Sequence, residues 1–490
     1  MVSSHPLAFV AAFFTPTALH KTEAYADAQM APIHFCFVVH GHQGRPTDLS
    51  YMHETIISKA KEKGLFVHVK SSDWKVGAEA TATGNYANKK VRREKRDRLP
   101  SSKSSKKKNG VGDNVEDILG STSIVSPEND QAKGSLIVHN AACNEGKTSD
   151  GIIKGGERLV HEILSVVRFE VKRKEDPQLQ EEASQQGHTD VTISVIGNSL
   201  GGLYGRYAIA HLAEILCEPT LQSSEVDETC NYYLLDGCIR IHLNVFCSIA
   251  SPHLGCAGFT YFSIPRGVEI VIAKVMGETG SDLFRLNDLI LTMATSPRFL
   301  TPLASFQRRF AYSNAYETDF VVPGTTAAFL DKESDYPHCF DDQGKANICP
   351  ASERGLIAAT LCTIPPKQVI HTKSKVDSSL TAMSSSLDSL GWRKIFIDIR
   401  REIPAISLPM FKSLGPDCPI SQLKSLSSEV KSCDLAMAIS TSSSYRISLP
   451  LGHNAICAFS RGAVSTALNR GGRPVVDSLA QDLTDEISQW

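Results

Sequence analysis

The sequence predicts an α/β fold: a mostly parallel central sheet with helices on both faces. Three observations carry this. Short apolar, β-branched runs recur along the chain, apolar throughout rather than alternating, as strands covered on both faces are. Helical patterns lie between them, the rhythm of a parallel sheet. One strand runs straight into a glycine-flanked serine turn and then a helix, at 191–216.

The elements follow in order. IHFCFVV (33–39) reads as a buried strand ending at His40-Gly41, and 49–63 has apolar residues at helical spacing. SLIVH (135–139) is the second strand, and 151–169 a helix with Ile152, Leu159, Ile163 and Val166 on one side. VTISVI (191–196) is the third strand, followed by a helix over 200–216. LNVFCSI (243–249), FAYS (310–313) and KIFIDI (394–399) complete the clear strands.

Polar, turn-rich or Ser-rich segments at about 78–133, 173–189, 331–350, 373–389 and 416–444 interrupt this rhythm and read as loop insertions. The expected organisation is one domain over 32–470, with a tail or targeting segment at 1–31 and a C-terminal tail at 471–490. The apolar run at 6–14 and Ala24-Tyr25-Ala26 suit a targeting peptide, but no Lys or Arg precedes the run.

Hydrophobic residues at 42% and charged residues at 21% fit a globular protein and exclude a wholly disordered chain or a coiled coil. No stretch reaches the roughly 18 apolar residues of a spanning helix. The net charge of −2 hides an asymmetry: 89–108 holds eleven Lys/Arg against Glu94 and Asp97, a net of +9, so the remainder carries −2 − 9 = −11. That basic segment suits anionic lipid headgroups or a nuclear address, with a solvated linker as the bland alternative. A nucleic-acid partner is not expected, and the location is read as cytoplasmic or peripheral to a membrane or lipid droplet. The 13 cysteines are odd in number, scattered and without a CxxC, which argues against a zinc ribbon or a disulfide framework.

The sharpest chemical signal is Gly197-Asn198-Ser199-Leu200-Gly201-Gly202. It is G-x-S-x-G between a buried strand and a helix, the context of a nucleophile elbow in an α/β-hydrolase fold. Gly197 and Gly201 are required because side chains there would collide across the turn. Ser199 Oγ would stand above the carboxyl edge of the sheet, near the helix N-terminus. A glycine-rich turn without chemistry is the bland alternative. One oxyanion donor is the backbone N–H of Leu200, and the other comes from the loop after the first strand, His42 or Gln43. His40 and His42 form an H-x-H, but no carboxylate or Cys stands at ligand spacing, so neither a metal nor a cofactor is expected.

A serine nucleophile needs a base and a carboxylate that orients it, in the chain order Ser, Asp/Glu, His. Asp319, in NAYETDFVVP just past the 310–313 strand, is the best acid, with Glu317 and Asp288 as competitors. His453, in LPLGHNAI, is the best base, and His371 the alternative, out of order because it precedes the last strand. His253, in SPHLG, reads as a hydrogen-bonded structural residue that could shape the site. The region 259–300, with Phe259, Ile270, Val271 and Ile272, suits either a cap over an acyl pocket or ordinary helical core.

The chain resembles the DUF676 family of serine esterases, lipase-like members of the α/β-hydrolase superfamily. The matching segments include VVHGHQGRPTDLSYM (38–52), NEGKTSDGIIKGGERLVHEI (144–163), ISVIGNSLGGLYGRYAI (193–209), SIASPHLG (248–255), GETGSDLFRLND (277–288) and LPLGHNAI (449–456). The resemblance implies Ser199, Asp319 and His453 as the triad and a carboxylic ester, an acyl lipid above all, as substrate. An acyltransferase or thioesterase using the same triad is the alternative. Position 198 departs from the family's more frequent His, and His42 stands where a bulky apolar residue is common.

Overall fold

The computed structural model describes residues 32–67, 134–174, 188–216, 232–259, 264–316, 318–319, 322–334, 336–340, 356–365, 379–407, 446–448 and 451–490. The expected insertions at 78–133 and 416–444, the basic segment 89–108 and the N-terminal 1–31 lie outside the described residues.

The strands are β1 (Ile33–Val39), β2 (Phe66–Val67), β3 (Ser135–Asn140), β4 (Thr189–Asn198), β5 (Tyr233–Leu235), β6 (Ile239–Ile249), β7 (Arg308–Asn314), β8 (His338–Phe340), β9 (Ile357–Thr363), β10 (Arg393–Ile397), β11 (Ala405–Ser407) and β12 (Arg446–Ser448). The helices are α1 (Ser50–Glu62), α2 (Ile152–Lys174), α3 (Leu200–Leu216), α4 (Arg266–Val275), α5 (Gly277–Leu283), α6 (Leu289–Thr295), α7 (Pro297–Ala304), α8 (Gly324–Ala327), α9 (Ser379–Asp388), α10 (Gly452–Ala455), α11 (Gly462–Leu468) and α12 (Arg473–Ile487).

The main sheet runs β2-β3-β1-β4-β6-β7-β10-β9-β8, with β5 paired to β6. From β2 to β10 every neighbouring pair is parallel, and β9, β8 and β5 are antiparallel additions. This is the mostly parallel α/β-hydrolase architecture that the sequence predicts. Because β1 and β4 lie inside the sheet, IHFCFVV and VTISVI are buried on both faces, which explains their unbroken apolar character.

Two cores result. On one face Phe35, Phe37, Ile193 and Val195 meet α2 and α3. On the other, Cys36, Val38 and Ile196 meet α1 and α12. Parallel strands present their carboxyl ends on one edge, where β1, β4, β6 and β7 deliver the loops that matter below. Buried Cys36, Cys256 and Cys457 are free thiols whose pKa values burial pushes up to about 12, so they remain protonated packing groups. No helix of the described residues is long and apolar enough to cross a membrane.

Three expectations are corrected. The tail expected at 471–490 is instead α12, whose Val475, Val476, Leu479, Leu483 and Ile487 share one buried face against α1. The loop expected at 373–389 contains α9, which buries Met383 and Leu387, while Ser384 Oγ donates to Phe329 O at 2.7 Å. Ser385 Oγ likewise meets Ser334 Oγ at 3.1 Å, so these hydroxyls are spent on partners outside the helix and Ser content does not prevent its formation. The segment 331–350 supplies β8, which with β9 closes the sheet edge.

Candidate active site

Ser199 has φ 55, a left-handed conformation that a non-glycine residue adopts only under constraint. The constraint is the strand–helix turn: Ser199 N donates to Ile249 O at 2.8 Å, and Gly202 N returns to Ser199 O at 3.1 Å. A Cβ on Gly201 would collide with the carbonyl oxygens of Val39 and His40, and one on Gly197 with the backbone of Gly202. The turn therefore tolerates no side chain at either place. Asn198 is buried beside it, with Nδ2 3.5 Å from Ile249 O, so the unusual residue here points into the sheet rather than toward substrate. Leu200 opens α3, and its N–H belongs to the first turn, which has no acceptor within the helix.

The loop after β1 meets this turn directly. A Cβ on Gly41 would stand 2.6 Å from Ser199 Cβ and 3.1 Å from Ser199 Oγ. Only glycine lets the loop approach the serine so closely. Gly44 N donates to Gly41 O at 3.0 Å, closing a tight turn. Gln43 inside it has φ 53, and its N–H donates to Thr148 Oγ1 at 2.9 Å. His42 Nδ1 lies 3.4 Å from Thr148 O. His40 is buried beneath the turn, with Nδ1 3.0 Å from Gly41 O, and desolvation pulls its pKa below the ordinary value.

Asp319 lies a few residues past β7, and its carboxylate accepts from Val322 N–H at 2.8 Å and from Asn314 Nδ2 at 3.2 Å. His453, in the single turn of α10, places Nδ1 2.9 Å from Asp319 Oδ2. Since an ionised carboxylate only accepts, Nδ1 carries the proton and Nε2 of the neutral ring is the free base. Burial works to lower the His453 pKa, but the charge of Asp319 and their hydrogen bond outweigh it and hold it above 6.5. The two segments are clasped at the backbone: Asp319 and Leu451 form an antiparallel bridge, and Gly452 N donates to Thr318 O at 2.6 Å.

The competing residues fall elsewhere. Asp288 immediately precedes α6 and lines a cavity of about 580 Å³ with Arg266, Arg285 and Met383, whose lining includes neither Ser199 nor His453. Glu317 and His371 lie outside the described residues. His253 is fully buried, with Nε2 2.9 Å from Ser248 Oγ and Nδ1 3.2 Å from Arg206 Nη1. Desolvation and then the nearby Arg206 and Lys394 charges push its pKa well below the usual value, so it is a neutral structural imidazole.

Sequence reasoning missed Thr148, Asp48 and Arg461. Thr148 sits in the 144–163 segment, whose signal in the sequence is its resemblance and not any role of its own, and Asp48 and Arg461 are far apart in the chain, yet Arg461 Nε donates to Asp48 Oδ1 at 3.0 Å. Among curated proteins none matches the chain significantly. Residues 109–330 match the family model described as Putative serine esterase (DUF676), and this stretch holds Ser199, Leu200 and Asp319.

Proposed function

We propose that the protein hydrolyses carboxylic esters, acyl lipids in particular, through Ser199, His453 and Asp319. The observation that carries this is the left-handed Ser199 at the β4–α3 turn, with Gly41 against it and the His453–Asp319 pair on the same sheet edge. Ser199 Oγ attacks the acyl carbon while His453 Nε2 takes its proton. The oxyanion that forms is met by the Leu200 N–H and by the loop after β1. Because the Gln43 N–H is engaged by Thr148, His42 is the better loop donor. Collapse of the intermediate expels the alcohol with the proton from His453, leaving acyl-Ser199. Water then gives a proton to His453 and attacks the acyl-enzyme, and collapse of that intermediate releases the acid as His453 returns the proton to Ser199 Oγ.

An acyl-lipid substrate is supported by α4, where Val268, Val271, Ile272 and Val275 recur at helical spacing on an exposed face, Val275 being 83% exposed. The charge of the 89–108 segment would add attraction to an anionic surface. The test is fluorophosphonate labelling of the full chain with hydrolysis of p-nitrophenyl esters of increasing chain length. Labelling and turnover lost together in Ser199→Ala support the reading. A folded wild type that neither labels nor turns over any ester overturns it. Product analysis with an added acceptor alcohol separates hydrolysis from acyl transfer.

A further inference from the structure

We infer that Thr148 is the positioning residue of the oxyanion loop, fixing through its hydroxyl the peptide that follows the His42 donor. The inference rests on the serine-hydrolase reading above. Thr148 lies between β3 and α2 and is 4% exposed. Its Oγ1 accepts the Gln43 N–H at 2.9 Å, and its carbonyl accepts from Thr279 Oγ1 at 2.6 Å and Tyr204 OH at 3.3 Å, with His42 Nδ1 at 3.4 Å. Tyr204 belongs to α3, the helix that starts at the nucleophile, and Thr279 to α5. Thr148 thus anchors to the elbow helix and to α5 while holding Gln43.

What it holds is strained. Gln43 adopts φ 53, a region that costs a non-glycine residue about 1–2 kcal/mol. A charge-neutral hydrogen bond contributes about 1 kcal/mol and also sets direction. With the Gln43 N–H aimed at Thr148, the peptide between His42 and Gln43 has one orientation, which limits how the preceding Gly41–His42 peptide, the one that carries the His42 N–H, can turn beside Ser199. Without the hydroxyl, the loop is free to relax the left-handed residue and turn that peptide. Catalysis then loses a preorganised donor while ground-state binding is largely kept, because oxyanion donors act on charge that appears only in the transition state.

The experiment compares wild type, Thr148→Val, Thr148→Ala and Thr148→Ser in the full chain. Read together are kcat and KM on a p-nitrophenyl ester, inhibition by an alkyl boronic acid, and thermal unfolding. The expected result for T148V is a kcat lower by roughly 10- to 100-fold with KM changed less than about threefold. Boronate affinity should fall in parallel with kcat/KM, and T148S should recover most of both. T148A repeats the test should the valine variant fail to fold. Wild-type kcat in T148V, or a loss that T148S does not restore, overturns the role of Thr148 while ester hydrolysis by the wild type stands. A folded wild type without ester hydrolysis or fluorophosphonate labelling overturns the serine-hydrolase reading, and this inference with it.

Discussion

Arg461 grips the buried carboxylate of Asp48 with two nitrogens, Nε donating to Oδ1 at 3.0 Å and Nη2 to Oδ2. The same Nη2 donates to Gln43 O at 2.7 Å, and Asp48 also accepts the Arg45 N–H at 2.7 Å. The segment that carries His453 is therefore tied to the loop that faces Ser199. Arg461→Met leaves the Asp48 carboxylate buried with one backbone donor. It should cost about 1–3 kcal/mol of stability. It should also lower kcat more than it raises KM. Urea unfolding and steady-state kinetics check both, and unchanged values for both would show the grip to be idle.

The pH dependence follows from His453. In the proposed mechanism it must be neutral to accept the Ser199 proton, and Asp319 holds its pKa above 6.5 against the opposing effect of burial. The acid limb of kcat/KM should therefore have its midpoint above 6.5. In Asp319→Asn the raising influence disappears and burial remains, so the limb moves to lower pH. The kcat should fall on the order of 10³- to 10⁴-fold through loss of the correct tautomer. Stability from the His453–Asp319 pair has the opposite slope. A raised folded pKa stabilises fully below the unfolded value near 6.5, and the gain is lost as pH rises through the folded one.

Gly41→Ala tests the approach of the loop to the elbow. Its Cβ would meet Ser199 Cβ at 2.6 Å and Asn198 O at 3.0 Å, contacts that only loop displacement relieves. A displacement near 1 Å costs about 100-fold in rate. The expected outcome is a folded protein with kcat reduced by about that factor, measured beside its circular dichroism spectrum. Full activity would show that the loop does not contribute to turnover.

The buried pair between Lys394 of β10 and Asp388 of α9 makes a prediction about stability alone. Lys394 Nζ lies 2.6 Å from Asp388 Oδ1, 2.9 Å from His338 Nε2 and 4.0 Å from the Phe329 ring centre, with no exposed surface. Lys394→Met strands a buried carboxylate and should cost about 3–5 kcal/mol. Adding Asp388→Leu should return much of that loss, since an apolar pair avoids the desolvation of both charges. Denaturant titration of the single and double variants checks the sign of the recovery.

α12 is also open to measurement. Leu479 is 3% exposed on the face that meets α1, and Leu479→Ala should destabilise by about 2–5 kcal/mol. A loss under 0.5 kcal/mol would show that the C-terminal helix adds little to the fold.

The strands that ended at functional loops were legible because burial on both faces writes an uninterrupted apolar run, and β1 matches its sequence reading residue for residue. Gly197 and Gly201 were legible because a tight turn excludes side chains. The C-terminal helix was missed although its apolar residues keep helical spacing, because a mixed, charged end of a chain looks like a tail until its partner α1 is known. The antiparallel β9 was missed because IAATLCT is only modestly apolar and gains its burial from β10 and β8. Thr148, Asp48 and Arg461 were invisible for a different reason. Their roles are long-range hydrogen bonds, which leave no periodicity in the sequence.

The clasp between Thr318-Asp319 and Leu451-Gly452 has a consequence for how this chain can change. Asp319 and His453 are mounted on one another, so their alignment is set by this clasp and not by the length of chain between 320 and 450. The entropy of closing such an excursion grows only with the logarithm of its length, about 0.6 kcal/mol per doubling. Residues can be gained or lost between the strands and helices of that stretch at small thermodynamic penalty, while β10, which pairs with β7, must keep its place in the sheet.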